Sequence, residues 1–423
     1  MEAARKTKSL CPVCLKIIDA DIIEEGGNMY MAKTCPDHGP FKTVVWRENS
    51  EKYLEWTKAA GSQPRGSFAK AKRVSKGCPY DCGYCQAHKQ DVCSAALMVT
   101  ERCNLNCPVC FTRTLSREPY HPDLDELKKQ LDAYLSQTGS PYPLEFCGGE
   151  PTVRDDLPLL AEYARNLGYD YIQLNTNGIR IAEDMDYLRE LKESGITTVY
   201  LGFDGFNDET YHYTSGESLL KYKMKAVDNC KKVKIAVVLV PVVIPGQNEN
   251  ELGKIIDYAK ANTPAVKGVF FQPISYFGHI PKIPTDDDRI TIPEVLDRIE
   301  EQTGGEVKRK NFLPPVCEHP VCSFNAFFLM KKGRLYPMTK FAQRKPVENA
   351  AERTRIITKR NWTYNEQEYL TIGGMAFQDV WNIDLERLEK CTIGIISGEK
   401  GIVPLCAKYL TSQSGEKLYP GIA

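Results

Sequence analysis

From residue 95 to about 275, apolar runs alternate with amphipathic ones. The apolar runs are ALMVTE (96–101), PLEFCGGE (143–150), YIQLNTNG (171–178), TVYLGFDG (198–205), KIAVVLVPVVI (234–244) and VKGVFFQPIS (266–275). Between them, LDELKKQLDAYLSQ, LPLLAEYARNLG and MDYLRELKESG repeat apolar residues at helical spacing. Near-continuous apolar strands separated by helices predict a parallel sheet with helices on its outer face. Six such units predict an α/β fold built on an open, partial (β/α)6 barrel of the TIM type, whose working residues lie at the carboxyl ends of the strands.

The pattern differs on either side of that core. Residues 1–50 are short and turn-rich and predict a separate metal ribbon. Residues 51–94 pass through a polar, basic stretch (Arg65, Lys70, Lys72, Arg73, Lys76) that reads as a linker, and then into a cysteine-dense segment. The barrel is expected over 95–290. Residues 291–423 open with the helical run IPEVLDRIEEQTGG and continue in short β-like pieces carrying Cys317, Cys322, Cys391 and Cys406.

Charge adds an exclusion. Lys and Arg number 55 and so do Asp and Glu, so no global field attracts nucleic acid or an anionic membrane. The amino terminus has no apolar run before its first cysteines, and IAVVLVPVVI is far shorter than the ~20 residues of a membrane-spanning helix. A cytoplasmic protein without transmembrane segments is expected. The sixteen cysteines fall mostly in C-x2-C and C-x3-C spacings, which suit metal or cluster ligation better than disulfides in a chain of this length.

One spacing occurs twice. Cys78-x3-Cys82-x2-Cys85 is followed, after Cys93, by Cys103-x3-Cys107-x2-Cys110. The second triplet directly follows a predicted barrel strand, and no fourth cysteine lies close to it. Three thiolates on a four-iron cluster leave one iron open, whereas four close it. The second triplet is therefore expected to be the reactive centre, and the first, with Cys93, an auxiliary cluster. Near the amino terminus, CPVC (Cys11, Cys14) and CPDH (Cys35, His38) form two knuckles suited to a tetrahedral site, zinc or a mononuclear iron.

A C-x3-C-x2-C loop after the first barrel strand, followed by CGGEP (147–151), resembles the radical S-adenosylmethionine superfamily. The resemblance implies a [4Fe–4S] cluster on Cys103, Cys107 and Cys110. Its open iron would be chelated by S-adenosylmethionine, whose reductive cleavage yields a 5′-deoxyadenosyl radical that takes hydrogen from an unactivated carbon. It also implies cofactor contacts by Gly148, Gly149 and Glu150, by Asn175 and Asn177 of NTNG, by Asp204 of FDG, and by Gln272. An external one-electron donor such as ferredoxin or flavodoxin is implied as well. The residue before the last cysteine is usually aromatic in that superfamily; here it is Val109, with Phe111 just beyond.

At the carboxyl end, CTIGIISGEKGIVPLC places Cys391 and Cys406 on either side of a predicted hairpin and resembles half of the auxiliary-cluster modules of such enzymes. Cys317 and Cys322 supply the second pair. These assignments use all the cysteines except Cys147 and Cys230, which read as buried thiols. CPVC…CPDHG, CPYDCGYCQAHKQDVC and FQDVWNIDLERLEKC resemble the branch holding archaeal tetraether lipid synthase and the bacterial radical SAM (seleno)protein TrsS. That branch implies formation of a C–C bond or methylation on a lipid or pterin-like small molecule. Two other readings are modification of a peptide or protein and, more remotely, a non-catalytic iron–sulfur or zinc regulator. Glu150 with its two glycines argues against the last, since a mere cluster holder needs no S-adenosylmethionine site.

Overall fold

The ribbon forms because two Cys-containing turns and one glycine turn fold four strands back on one another. β1 (Ala3–Leu10), β2 (Ile17–Glu25), β3 (Asn28–Cys35) and β4 (Gly39–Trp46) make an antiparallel sheet in sequence order. Gly26 and Gly27 join β2 to β3 with φ of 58° and 77°, the left-handed pair that a two-residue hairpin needs. The computed structural model describes residues 3–59, 73–83, 85–112, 118–279, 282–315, 317–339, 350–398 and 401–419. Arg65, Lys70 and Lys72 of the linker fall outside these.

The six expected barrel strands are all present. β5 (Ser94–Thr100), β6 (Leu144–Gly148), β7 (Ile172–Thr176), β8 (Thr198–Gly202) and β9 (Ala236–Val240) pair in parallel and in chain order. The run at 234–244 is interrupted by Pro241, which has no N–H to donate, so β10 (Val242–Val243) is a separate short strand beside β11 (Val266–Pro273). The three intervening helical patterns appear as helices Leu124–Thr138, Leu157–Asn166 and Met185–Ser194. Asp123 and Asp184 cap two of them by accepting from backbone N–H groups in the first turn. Leu97, Val99, Phe146, Leu174, Leu201 and Leu239 point outward into one core with these helices.

Residues beyond 290 extend this sheet at both edges. β12 (Ser323–Lys331), β13 (Arg334–Pro337) and β14 (Tyr369–Met375) continue it past β11, with β14 parallel and β12 antiparallel. β15 (Ile393–Ser397) pairs in parallel with β5 and turns back as β16 (Gly401–Pro404), which is the expected Cys391–Cys406 hairpin. Stretches between these strands cross the gap left by the open barrel.

The ribbon is fastened to one of those stretches. Arg5 pairs with Asp384 and Glu386, Thr7 donates to Asp384 at 2.7 Å, and Lys33 donates to the Val380 carbonyl at 2.9 Å. Burial pushes the Lys33 ammonium down to about 7, because a charge removed from water favours its neutral form. Among the described residues no helix is long and apolar enough to cross a membrane.

Candidate active site and cysteine centres

The second triplet sits where the sequence put it, on the loop that leaves β5. Cys103 is exposed, and Cys107 and Cys110 are half-buried. Desolvation first, then Glu150 and the neighbouring thiols, push the Cys103 thiol up to about 12; desolvation and Cys110 push Cys107 up to about 11. Three thiols on one loop, with no fourth cysteine in their spacing among the described residues, are a donor set whose thiolates the positive irons of a cluster would hold. The loop is held from both sides. Cys110 bridges to His279, and Phe111 meets Tyr409 edge to face with ring centroids 4.8 Å apart. Val109 packs on the inner apolar cluster.

The motif residues at the neighbouring strand ends are knitted together. Glu150, 1% exposed, accepts from Thr152 N and Oγ1, Thr176 Oγ1 and Asn177 N at 2.6–3.0 Å. Asn177 Nδ2 in turn donates to Asn104 Oδ1, inside the triplet loop, at 2.7 Å. Asp204 accepts from Val242 N and Thr214 Oγ1 at 3.0 Å each. Asn175 and Gln272 are half-buried on the inner wall.

The glycines have a role that the motif alone does not disclose. A Cβ on Gly148 would lie 2.0 Å from the Thr100 carbonyl oxygen, and one on Gly149 would lie 2.3 Å from that of Arg102. Gly149 N and Glu150 N donate to those same two carbonyls at 2.8 and 2.9 Å. The pair therefore lets the end of β6 lie directly on the backbone leading into Cys103.

Lys223 was missed by the sequence reading. It sits on the helix Leu220–Val233, 3% exposed, and donates to the Asn177 carbonyl at 2.6 Å. Its ammonium is pushed below the usual lysine range by desolvation and drawn back up by Asp204, Glu150 and Cys107. The signal was available: a lysine shares the helix face that buries Ala226, Val227 and Cys230.

The ribbon knuckles converge as expected. Cys11, Cys14, Cys35 and His38 offer ligand atoms that all lie within 4.8 Å of one another. His38 Nδ1 is 3.6 Å from Cys11 Sγ and 3.5 Å from Cys35 Sγ, and the Cys14 and Cys35 sulfurs are 4.0 Å apart. Tetrahedral zinc with bonds of about 2.0–2.3 Å spaces its ligands by roughly 3.5–3.8 Å, so the donors fit that ion.

The remaining cysteines gather differently from the expected two sets. Cys78, Cys82 and Cys85 form one group, with Cys82 and Cys85 buried. Its loop is shaped by Asp81, which accepts from the backbone N–H groups of Ser75, Lys76 and Gly77 at 2.6–2.7 Å. Cys93, expected with that group, is instead joined to Cys317, expected in the carboxyl-terminal set; their Cα atoms are 7.0 Å apart across 224 residues of sequence. Cys93 lies at the start of β5, bonded through its N–H to Thr392 O, and Cys317 lies on the stretch that leads into β12. These two meet because that stretch crosses the gap between the sheet edges.

Cys322, Cys391 and Cys406 line one small cavity with Glu318, His319 and Arg387. Arg387 Nη2 donates to Cys322 Sγ at 3.0 Å. Cys391 and Cys406 border this cavity together, and Cys391 also lies toward Cys82 of the first triplet.

A family model described as "Radical SAM superfamily" matches residues 97–259, and one described as "HMPTM N-terminal zinc ribbon domain" matches residues 3–47. The 7,8-dihydro-6-hydroxymethylpterin dimethyltransferase of Methanocaldococcus jannaschii is 34% identical over 95% of this chain and 92% of its own length. The Fe-coproporphyrin III synthase of Methanosarcina barkeri is 31% identical over 45% of this chain and 46% of its own. Among solved structures, Streptococcus suis SuiB bound to S-adenosylmethionine aligns with a TM-score of 0.43 and 16% identity, over 51% of this chain and 48% of that one. The chain thus spans about half the length of these last two proteins.

Proposed function

The chain belongs to the radical S-adenosylmethionine superfamily, and from that premise we propose that it methylates, or otherwise forms a carbon–carbon bond at, an unactivated carbon of a dihydropterin. The observation that carries this reading is the likeness to the pterin dimethyltransferase, which runs through ribbon, cysteine-dense segment, barrel and carboxyl-terminal hairpin at 95% coverage. A shared barrel alone would support only the superfamily, because folds host many chemistries.

The enzyme uses a [4Fe–4S] cluster, S-adenosylmethionine and zinc. S-adenosylmethionine at the cluster supplies the hydrogen-abstracting radical. In our reading Cys103, Cys107 and Cys110 hold that cluster. Glu150 and Asn177 tie the strand ends to the triplet loop, and the buried Lys223 keeps positive charge between Glu150 and Asp204, toward which the amino-acid end of S-adenosylmethionine would lie. Gly148, Gly149, Asn175 and Gln272 complete the wall. Cys11, Cys14, Cys35 and His38 hold zinc in a closed structural site. The other eight cysteines (Cys78, Cys82, Cys85, Cys93, Cys317, Cys322, Cys391 and Cys406), with the Cys93–Cys317 link reduced to thiolates, would have the capacity for two auxiliary four-iron clusters that relay electrons from a ferredoxin- or flavodoxin-type donor.

The test is anaerobic turnover of cluster-reconstituted enzyme with S-adenosylmethionine, a reductant and 7,8-dihydro-6-hydroxymethylpterin, followed by mass spectrometry. The expected result is a methylated pterin formed alongside 5′-deoxyadenosine. Steady 5′-deoxyadenosine with no change in the pterin would overturn the substrate assignment.

A further inference from the structure

The inner wall of the barrel carries a carboxylate that none of the roles above uses. Glu145 is the second residue of β6, between Leu144 and Phe146, which are fully buried in the outer core. Its side chain therefore points into the lumen. There it accepts from Ser94 Oγ at 2.7 Å on one oxygen and from Asn175 Nδ2 at 3.2 Å on the other. Two donors leave about half of a carboxylate's acceptor sites open. Among the described residues no lysine, arginine or histidine forms an ion pair with it. Two other acids of the barrel differ: Glu150 has four donors, and Asp204, with two, lies like Glu150 near the Lys223 ammonium.

An ionised carboxylate enclosed by protein without a cation is costly unless further donors reach it. Desolvation already pushes Glu145 above the usual range, against the help of Ser94 and Asn175. The wall around it is half-buried, so the lumen has room there: Cys147, Asn175, Tyr200, Phe270 and Gln272 all keep accessible surface. Tyr200, Phe270 and Trp362 cluster with ring centroids 5.8–5.9 Å apart. Cys147, two residues along β6, is hydrogen-bonded with Tyr409, whose ring meets Phe111 next to Cys110 of the triplet. Tyr200 is within electrostatic reach of both Glu145 and Glu318, and Glu318 lines the auxiliary cavity.

We propose that Glu145, held by Ser94 and Asn175, reads the 2-amino-4-oxopyrimidine edge of the pterin, with the aromatic surface of Tyr200 and Phe270 beside the ring. Such an edge presents two adjacent N–H donors, from the ring nitrogen and the exocyclic amine, and these match the two oxygens of one carboxylate. A flat bicyclic ring also suits an aromatic flank. The inference rests on the dihydropterin reading and adds the residue that sets its specificity. It also accounts for a half-buried acid that the cluster chemistry does not require.

The experiment measures equilibrium binding to the full-length, cluster-loaded protein of 7,8-dihydro-6-hydroxymethylpterin and of its 2-oxo analogue, in which a carbonyl replaces the amine. The parent should prefer the pterin by about a hundredfold, since the analogue sets an oxygen against the carboxylate and leaves it unpaired. Glu145→Gln should bring the two ligands to within about fivefold of each other. Iron content and melting temperature check that the variant is folded. If it is not, Glu145→Asp keeps the charge but withdraws it by one methylene, and it should weaken the pterin about tenfold. Retention of the parent's preference by folded Glu145→Gln, or of the parent's pterin affinity by Glu145→Asp, would overturn the role of Glu145 and leave the substrate reading intact. Failure of the parent to bind either ring would overturn both.

Discussion

Two triplets of identical spacing, 25 residues apart, meet opposite surroundings. Cys78, Cys82 and Cys85 follow no strand, are mostly buried, and are walled in by Tyr419, Glu389 and Cys391 from the far end of the chain. Cys103, Cys107 and Cys110 sit on a barrel loop, keep surface exposed, and face Glu150, Asp204 and Lys223. Spacing fixes how many thiolates a loop can offer. What stands opposite the loop decides whether a bound cluster is closed by protein or left open to a small molecule.

The largest test of that contrast replaces each triplet with alanine. Loss of Cys103, Cys107 and Cys110 should abolish 5′-deoxyadenosine formation while iron bound elsewhere remains. Loss of Cys78, Cys82 and Cys85 should leave S-adenosylmethionine cleavage measurable under added chemical reductant. If the second variant is the silent one, the assignment is reversed.

The ribbon offers a second lever because it is bonded to the loop of the first triplet. Tyr80, inside the first triplet, donates to the Leu15 carbonyl, and Gln413 N donates to Pro12 O at 2.7 Å. Changing Cys11 and Cys14 to Ser should release one zinc and cost about 4 kcal/mol or more of stability, since such a site binds its metal as it folds. Metal analysis and thermal melts would check it, and any iron lost should come from the first triplet. Unchanged zinc would refute the ribbon site.

Cys406→Ala tests whether the auxiliary cavity serves chemistry or only assembly. Product should fall about a hundredfold, near 2.7 kcal/mol at the product-forming step, with 5′-deoxyadenosine maintained. A proportional fall in both would assign the cavity to folding or electron delivery. The smallest effect is expected from Phe111→Leu, which removes the edge-to-face contact with Tyr409 and should cost roughly 1 kcal/mol in denaturant unfolding. A larger drop confined to S-adenosylmethionine binding would point to Phe111 as the aromatic contact that Val109 does not supply.

Much of this architecture was legible along the chain. The six barrel strands, three of the helices between them, the ribbon knuckles and the carboxyl-terminal hairpin all follow from periodicity and short-range spacing, because each depends on neighbours a few residues away. The purpose of Gly148 and Gly149 was legible only in part. Glycine marks a close backbone approach, but that the approach includes Thr100 and Arg102 is a property of two strands side by side. Lys223 was hidden because a lysine on a helix reads as solvated until the helix face is seen to be buried.

Which cysteines stand in knuckles, which strand the reactive loop follows, and that a sheet of parallel strands carries it are all written in local order along the chain. Which distant thiols meet is a property of the folded molecule. Cys93 reaches Cys317, and Cys322 shares a cavity with Cys391 and Cys406, because strands from the last third of the chain join both edges of the open barrel and their connections cross the gap between them. Local spacing is set by turn geometry and survives in any context. Long-range ligand sets depend on how two sheet edges are brought together, and no short stretch of sequence encodes that.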